Sequence, residues 1–424
     1  MELDDLSQSG IRRIANYSPY LDQLAGLANE MGLKQRSNLV HLEQCLHREW
    51  SLGQNTILSW APMDDGMLIL VVPHYAIAEY TAAPTSGDPR MPGRVSARFI
   101  TELISGNRKL SIDQMHKVSR LLNVEPRFLP LRQPLTGHAV ETEIIERMIR
   151  RYGINYVASR AVTLFDIVGF SLLTPFEQMT QLNSLSYSLN SAHAKMLELD
   201  VGINFARSSS GDGFYIWNRD QGLEANVNLY HFMHIVLADN AIARSKSVSK
   251  AVPKLRACFH VGSCYEFYQA EGLNPTIHNF IVGDVTIELA RMIEAAMPGQ
   301  ILVGDFFAEL PRQEADEHEI SQLNLDAVAF LQRAQGNLSK LSGLELSGER
   351  VSAIKCYLTG ERLESGEFDI RRLCIRDKHG LERTAYNAKV NIYRDTAEPI
   401  LLGIEDRKLK LSDITNGLKT PSAG

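Results

Sequence analysis

The chain has no CxxC pair, no apolar run of membrane length and no excess of basic charge. Each absence excludes a class of protein. The five cysteines, at 45, 258, 264, 356 and 374, are odd in number and lack metal-knot spacing. That argues against a disulfide framework and a zinc knot, and for a reducing cytoplasm. The most apolar stretch, MLILVV at 67–72, is far too short to cross a bilayer, so no membrane partner is expected. The first residues, MELDDLSQSG, are acidic and polar and do not read as a secretory signal. A net charge of -6 does not suit a coat for nucleic acid or for an anionic membrane. What is present is an ordinary globular composition: 424 residues, 44% apolar and 22% charged, long enough for two or three domains.

Residues 1–135 read as a mostly helical N-terminal region. Apolar positions at helical spacing (Ile11, Ile14, Leu21, Leu24, Leu27, Met31) predict two helices within 10–50, and 66–80 predicts one or two strands. The turn-rich run AAPTSGDPRMPG at 82–93 reads as a linker. Residues 94–129 predict helix, Gly-Asn turn, helix, with Ser111 capping the second helix. That pattern is similar to part of a helix-turn-helix domain. It has two readings: Arg94, Arg98, Arg108 and Lys109 near a phosphate backbone, or a packed helical pair with solvated charges. After the linker PLRQPLTG, helix 141–151 opens a second domain, 141–403, in which helices and strands alternate as an α+β fold. Residues 306–350 read as polar and mainly helical. Strand-like runs (SAIKCYLTG, FDIRRLCIR, TAYNAKVNIY) then complete the sheet, and 404–424 reads as a loose tail.

Two isolated carboxylates stand out. In TLFDIVGFS, residues 163–171, Asp166 sits alone among Leu164, Phe165, Ile167 and Val168, where an unpaired buried charge would cost several kcal/mol. About 45 residues later, SSSGDGFYIW places Asp212 between two glycines, a turn that lets backbone approach closely. A helix cap and a hairpin turn would explain each aspartate singly. Together they can share divalent cations, which take oxygen ligands and commonly hold phosphates as well.

The stretch 157–305 resembles the catalytic domain of class III nucleotidyl cyclases, the adenylate and guanylate cyclase family. AVTLFDIVGFSLLT, SSSGDGFYIW and VGDVTIELARMIEAAMPGQILVG carry the match. The resemblance implies a ferredoxin-like fold working as a head-to-tail homodimer with active sites at the interface. It implies two Mg²⁺ or Mn²⁺ ions on Asp166, Asp212 and the Ile167 carbonyl. It places the substrate phosphates on the N–H groups of Val168, Gly169, Phe170 and Ser171, at the start of the next helix, with Lys378 as a further phosphate contact. It makes Arg291 the arginine that reaches the transferring phosphoryl group from the partner subunit. The reaction implied is attack of a ribose 3′-oxygen on the α-phosphorus with loss of pyrophosphate.

The base-reading positions depart from the purine pattern. Ser208 stands where a lysine or glutamate is usual, Phe280 where an aspartate is frequent, and Ile287 replaces the ribose-holding asparagine. Arg207-Ser208 resembles the pair found in bacterial pyrimidine cyclases of Pycsar antiphage systems. Arginine donates only and serine can donate or accept, which suits the two carbonyls and single N–H of uracil. The expectation is a uridylate cyclase using UTP, or CTP, whose product signals to a separate effector protein. The alternative is an adenylate cyclase with atypical base contacts. His278 and Asn279 could rim the base pocket, while Cys258 and His260 read as core residues.

Overall fold

Among the described residues, alternating apolar positions build a three-stranded and an eleven-stranded sheet, accompanied by two two-stranded ribbons. The computed structural model describes residues 31–81, 96–270, 277–311, 322–362, 368–376, 380–405 and 409. Its contacts divide the chain into two units: Met1–Tyr156 with Tyr265–Phe280, and Val157–Cys264 with Ile281–Gly424.

The first unit contains α1 (Leu33–Trp50), β1 (Asn55–Met63), β2 (Gly66–Pro73), α2 (Ala76–Thr81), α3 (Ala97–Ser105), α4 (Ile112–Leu122), β3 (Arg127–Pro130) and α5 (Ala139–Arg151). β1 and β2 form a hairpin, Met63 opposite Gly66, and β3 adds antiparallel to β2. Period-two alternation gives this small sheet two apolar faces. Ile57, Trp60 and Ile69 pack with Leu39 and Leu42 of α1 and Ile144 and Met148 of α5. Leu58, Leu70 and Val72 pack with Ile100 and Ile104 of α3 and Met115 of α4.

Several expectations change here. The region is mostly helical, as expected, but NTILSWAPM adds a strand that was not foreseen. Residues 76–81 are helical, the strand ending at Pro73. The α5 helix, expected to open the second domain, packs in the first unit's core. The α3–α4 pair has the foreseen form, and Ser111 accepts from the Gln114 N–H at 3.2 Å. Its charges are not a free phosphate-binding set. Arg108 is 1% exposed and donates to the carbonyls of Leu58, Leu103, Ile104 and Ile154. Lys109 lies over the Trp60 ring, and Arg98 pairs with Glu102. Arg94 lies outside the described residues, as do 1–30 and the 82–93 linker.

β4 (Asn155–Ile167), α6 (Pro175–Glu198), β5 (Phe205–Ser209), β6 (Gly213–Asn218), α7 (Leu223–Lys246) and β7 (Leu255–Ala270) follow one another along the chain, in the second unit but for the first two residues of β4 and the end of β7 from Tyr265. Their order across the sheet is β7-β4-β6-β5, the ferredoxin-like arrangement of two βαβ halves interleaved. The chain continues through β8 (Ile277–Val282), α8 (Asp284–Ala295), β9 (Ile301–Gly304), β10 (Phe307–Pro311), β11 (Gln322–Asp326), α9 (Ala327–Asn337), β12 (Leu344–Leu346) and β13 (Glu349–Leu358). It ends in β14 (Gly360–Arg362), β15 (Phe368–Ile370), β16 (Arg372–Arg376), β17 (Glu382–Arg394) and β18 (Ile400–Leu402). The full sheet has 11 strands, with β13, β17 and β9 extending it beyond β7. The β7–β9 pair is parallel, and β9–β17 and β17–β13 are antiparallel. The described part of 306–350 is therefore less helical than its polarity implied, since β10, β11 and β12 lie there as well as α9.

Leu185, Leu189 and Met196 of α6, with Tyr230, Phe232 and Met233 of α7, pack in one core with Phe165 and Ile216. Val285, Leu289 and Met292 of α8 pack in another with Leu164, Trp217 and Cys258. The fold class is α+β. Among the described residues no helix is long and apolar enough to cross a membrane, and the five cysteines are free thiols.

Candidate active site

The β4–β6 ladder decides where the two aspartates go. Phe165 pairs with Phe214 and Asp166 with Gly213, and the Ile167 N–H donates to the Asp212 carbonyl at 3.0 Å. Only glycine permits this approach, since a Cβ at 213 would stand 1.8 Å from the Phe165 carbonyl oxygen. Gly211 turns the chain with φ 102°, a conformation that favours glycine. Phe165 and Ile167 point into the α6–α7 core, so alternation sends Asp166 to the opposite face of β4.

Asp166 is 4% exposed. Arg256, just inside β7, donates to its Oδ2 from Nε at 2.7 Å and from Nη2 at 2.5 Å. Burial pushes the Asp166 carboxyl up to about 6; Arg256 pulls against that, and the Asp212 carboxyl pushes the same way as burial. The Asp212 carboxyl is therefore close enough to disfavour charge on Asp166. The Ser210 hydroxyl donates to Asp212 Oδ1 at 3.4 Å. Sequence reading missed Arg256, whose position at a strand end beside Lys254 gives it the look of a solvated charge. The signal for it was the unpaired Asp166 itself.

Of the four amides expected to hold phosphate, that of Val168 donates to the Lys254 carbonyl at 2.9 Å and is occupied. Gly169 has φ 71° and starts a 3₁₀ turn, Phe170–Leu172. Among the described residues the amides of Gly169, Phe170 and Ser171 have no hydrogen-bond partner. These residues precede the next helix rather than start it, because α6 begins at Pro175 under a Thr174–Glu177 capping box. Lys378 lies outside the described residues.

The structure does not bring Arg207 and Ser208 together. β5 pairs with β6 in unbroken register, Arg207 with Ile216 and Ser208 with Tyr215, so the two side chains leave opposite faces. Arg207 donates to the Ser186 hydroxyl at 2.8 Å and lies over the Phe214 ring. Arg291 of α8 lines a 320 Å³ hollow with Tyr215, Thr286 and Ile287, and its Nη1 pairs with Glu294 at 3.1 Å. Phe280 belongs to the first unit, as do His278 and Asn279; its ring stacks on Phe267 with centroids 5.4 Å apart. Cys258 and His260 are buried, as expected of core residues.

No family model and no curated protein matches the chain. Solved structures do match. The guanylate cyclase domain of RhGC from Catenaria anguillulae, in complex with GTP, is 12% identical with a TM-score of 0.32, over 55% of this chain and 97% of that one. The adenylyl cyclase CyaB from P. aeruginosa is 13% identical with a TM-score of 0.29, over 55% of this chain and 95% of that one. A bacterial light-regulated adenylyl cyclase is 13% identical with a TM-score of 0.26, over 42% of this chain and 95% of that one. Scores this low carry no weight for function, which rests on the site's own chemistry.

That chemistry fits a hard cation. Among the described residues no group of three or more His, Cys, Asp and Glu could hold a metal ion. Two neighbouring carboxylates, one of them with an oxygen already held by Arg256, suit an ion such as Mg²⁺ or Mn²⁺. Such ions are usually bound by one or two carboxylates, with water and substrate phosphates filling the remaining positions.

Proposed function

We propose that this chain is a metal-dependent nucleotide cyclase, closing a nucleoside triphosphate to its 3′,5′-cyclic nucleotide and releasing pyrophosphate. The Asp166–Asp212 pair carries the reading: two carboxyls, one near the end of β4 and one in the turn that leads into its neighbour β6, the first buried and raised to about 6 partly by the second. Asp166, Asp212 and the Ile167 carbonyl are the proposed donors for two divalent cations. When bound, these would neutralise phosphate charge and make the ribose 3′-hydroxyl more acidic. Arg256 fixes the Asp166 rotamer by gripping one oxygen at two points, which leaves the other carboxylate oxygen to face a ligand. The unpartnered amides of Gly169, Phe170 and Ser171 supply donors for substrate phosphates. Arg291 offers a donor fork to the transferring phosphoryl group of a partner subunit's site, in the homodimer that the sequence resemblance implies.

The proposed substrate is a pyrimidine nucleotide, UTP ahead of CTP, with the product signalling to a separate effector in antiphage defence. Ser208 supports the base choice: it leaves β5 on the face opposite Arg207, and its hydroxyl can donate or accept. Ile287, apolar where purine cyclases are polar, supports it too. The turned-away Arg207 is the observation on the side of a second reading, an adenylate cyclase with atypical base contacts.

Incubating the purified protein with each of ATP, GTP, CTP and UTP and Mn²⁺, then identifying products by mass spectrometry, tests both levels. Cyclic UMP is the expected main product. Cyclic AMP as the main product removes the pyrimidine claim, and no cyclic product from any triphosphate removes the cyclase.

A further inference from the structure

The ferredoxin-like unit has a second hollow besides the one beside Arg291, and it is the larger of the two. A cleft of 1170 Å³ opens between α6, the C-terminal half of α7, the loop before β7 and the strand β18. Its volume is that of a site for a nucleotide-sized or larger organic molecule. Its floor is apolar, with Leu255, Ile301 and Leu402 among the lining residues. Its charge is of one sign. Arg244, Lys250 and Lys254 line it, and no aspartate or glutamate is among the described residues that do. In a chain of net charge -6 this is a local inversion. None of the three cations forms a salt bridge among the described residues; Lys250 exerts only a longer-range pull on Glu177. Unbridged like charges around one hollow repel each other and favour an anion that sits among them.

A second observation is independent of charge. Asn240, 4% exposed, lines the same cleft, and among the described residues its buried Nδ2 has no hydrogen-bond partner. A buried amide donor left unmade costs roughly 1–3 kcal/mol, and native structures seldom tolerate that without a ligand or water to receive it.

We infer that this cleft binds an organic anion, an apolar body bearing a phosphate or carboxylate. The apolar floor takes the body, and Arg244 and Lys250 take the charge. Of the residues assigned above to the cyclase reaction, the cleft shares only Val168, whose amide is already committed to Lys254. The inference therefore stands whether or not the chain is a cyclase.

The probe is 1-naphthyl phosphate, followed by its own fluorescence, with neutral 1-naphthol as the comparison. Saturable one-site binding of the phosphate is expected, at least about tenfold tighter than naphthol, because the charge-assisted contacts exist for the anion alone. In R244Q/K250Q that binding weakens by about tenfold or more. Both residues are exposed and unbridged, so the double variant should melt like the parent and a loss of binding is not a loss of fold. No saturable binding of the phosphate up to about 5 mM, equal binding of naphthol, or an unchanged affinity in R244Q/K250Q overturns the inference.

Discussion

At the scale of single residues the molecule is set by how it treats buried ionisable groups. Asp166 is tolerated because Arg256 reaches it twice, yet burial and Asp212 still hold its carboxyl near 6. If the pair holds the reaction's cations, D166N and D212N each lower turnover by roughly 10³-fold or more while the thermal melt stays within a few degrees. A variant retaining more than about a tenth of the parent rate in the four-triphosphate assay would remove its aspartate from the metal site. Two histidines show the opposite case. His234 and His260 are buried, each pushed down to about 4, and among the described residues His234 Nε2 and His260 Nδ1 have no hydrogen-bond partner. Their folded values lie below the unfolded value of 6.5, so the unfolded chain takes up protons first as pH falls. Stability is whole above about pH 6.5 and drains toward pH 4, by about 3 kcal/mol per histidine. Asp166 works in the other direction, because its raised value returns about 3 kcal/mol as pH falls from 6 to 3.8. Two histidines outweigh one aspartate. The apparent melting temperature is expected to fall from pH 6.5 to pH 4.5, and H260Q, which cannot take that proton, should show a shallower fall. A flat or rising profile in the parent contradicts this account.

At the scale of elements, legibility followed how local the cause was. The β4 and β6 strands and the turn between β5 and β6 could be read from sequence, because an aspartate in an apolar run and Gly-Asp-Gly are local signals. The opposed directions of Arg207 and Ser208 follow from strand alternation, and the regular β5–β6 register confirms that simple rule over any local irregularity. What could not be read was who meets whom. Nothing near Arg256 announces Asp166, 90 residues away in sequence. Arg108 beside Lys109 looks like a phosphate clamp, and only the packing of α3 against β1 turns it into a buried fork. Burial pulls its pKa down to about 9, and it remains in place because backbone carbonyls from β1, α3 and the end of the unit accept from it. R108M keeps the volume and strips these acceptors of their donor. It is expected to destabilise the first unit by about 4 kcal/mol, seen as an earlier transition in urea and faster proteolysis within 31–156. A loss below about 1 kcal/mol would mean that water replaces the guanidinium there.

At the scale of the whole molecule the site described here is half of a proposed machine. Asp166 with Arg256, and Arg291 with its 320 Å³ hollow beside Tyr215, make up two separate constellations within one unit. Arg291 Nη1 is committed to Glu294 at the helix surface, a pair with one partner 56% exposed and so easily exchanged for a phosphate. A head-to-tail arrangement would give each active site the carboxylates of one subunit and the arginine of the other. This has a consequence that a monomeric site does not share. D166N and R291A should each be inactive alone. Mixed in equal amounts and allowed to exchange subunits, half of the dimers become mixed, and each mixed dimer rebuilds one of its two sites. Activity should then return to about a quarter of the parent's, at a rate set by subunit exchange and lost on dilution. If the mixture stays inactive while light scattering shows that dimers have exchanged, Arg291 acts within its own chain or not at all. The base hollow would then have to be sought on a single subunit.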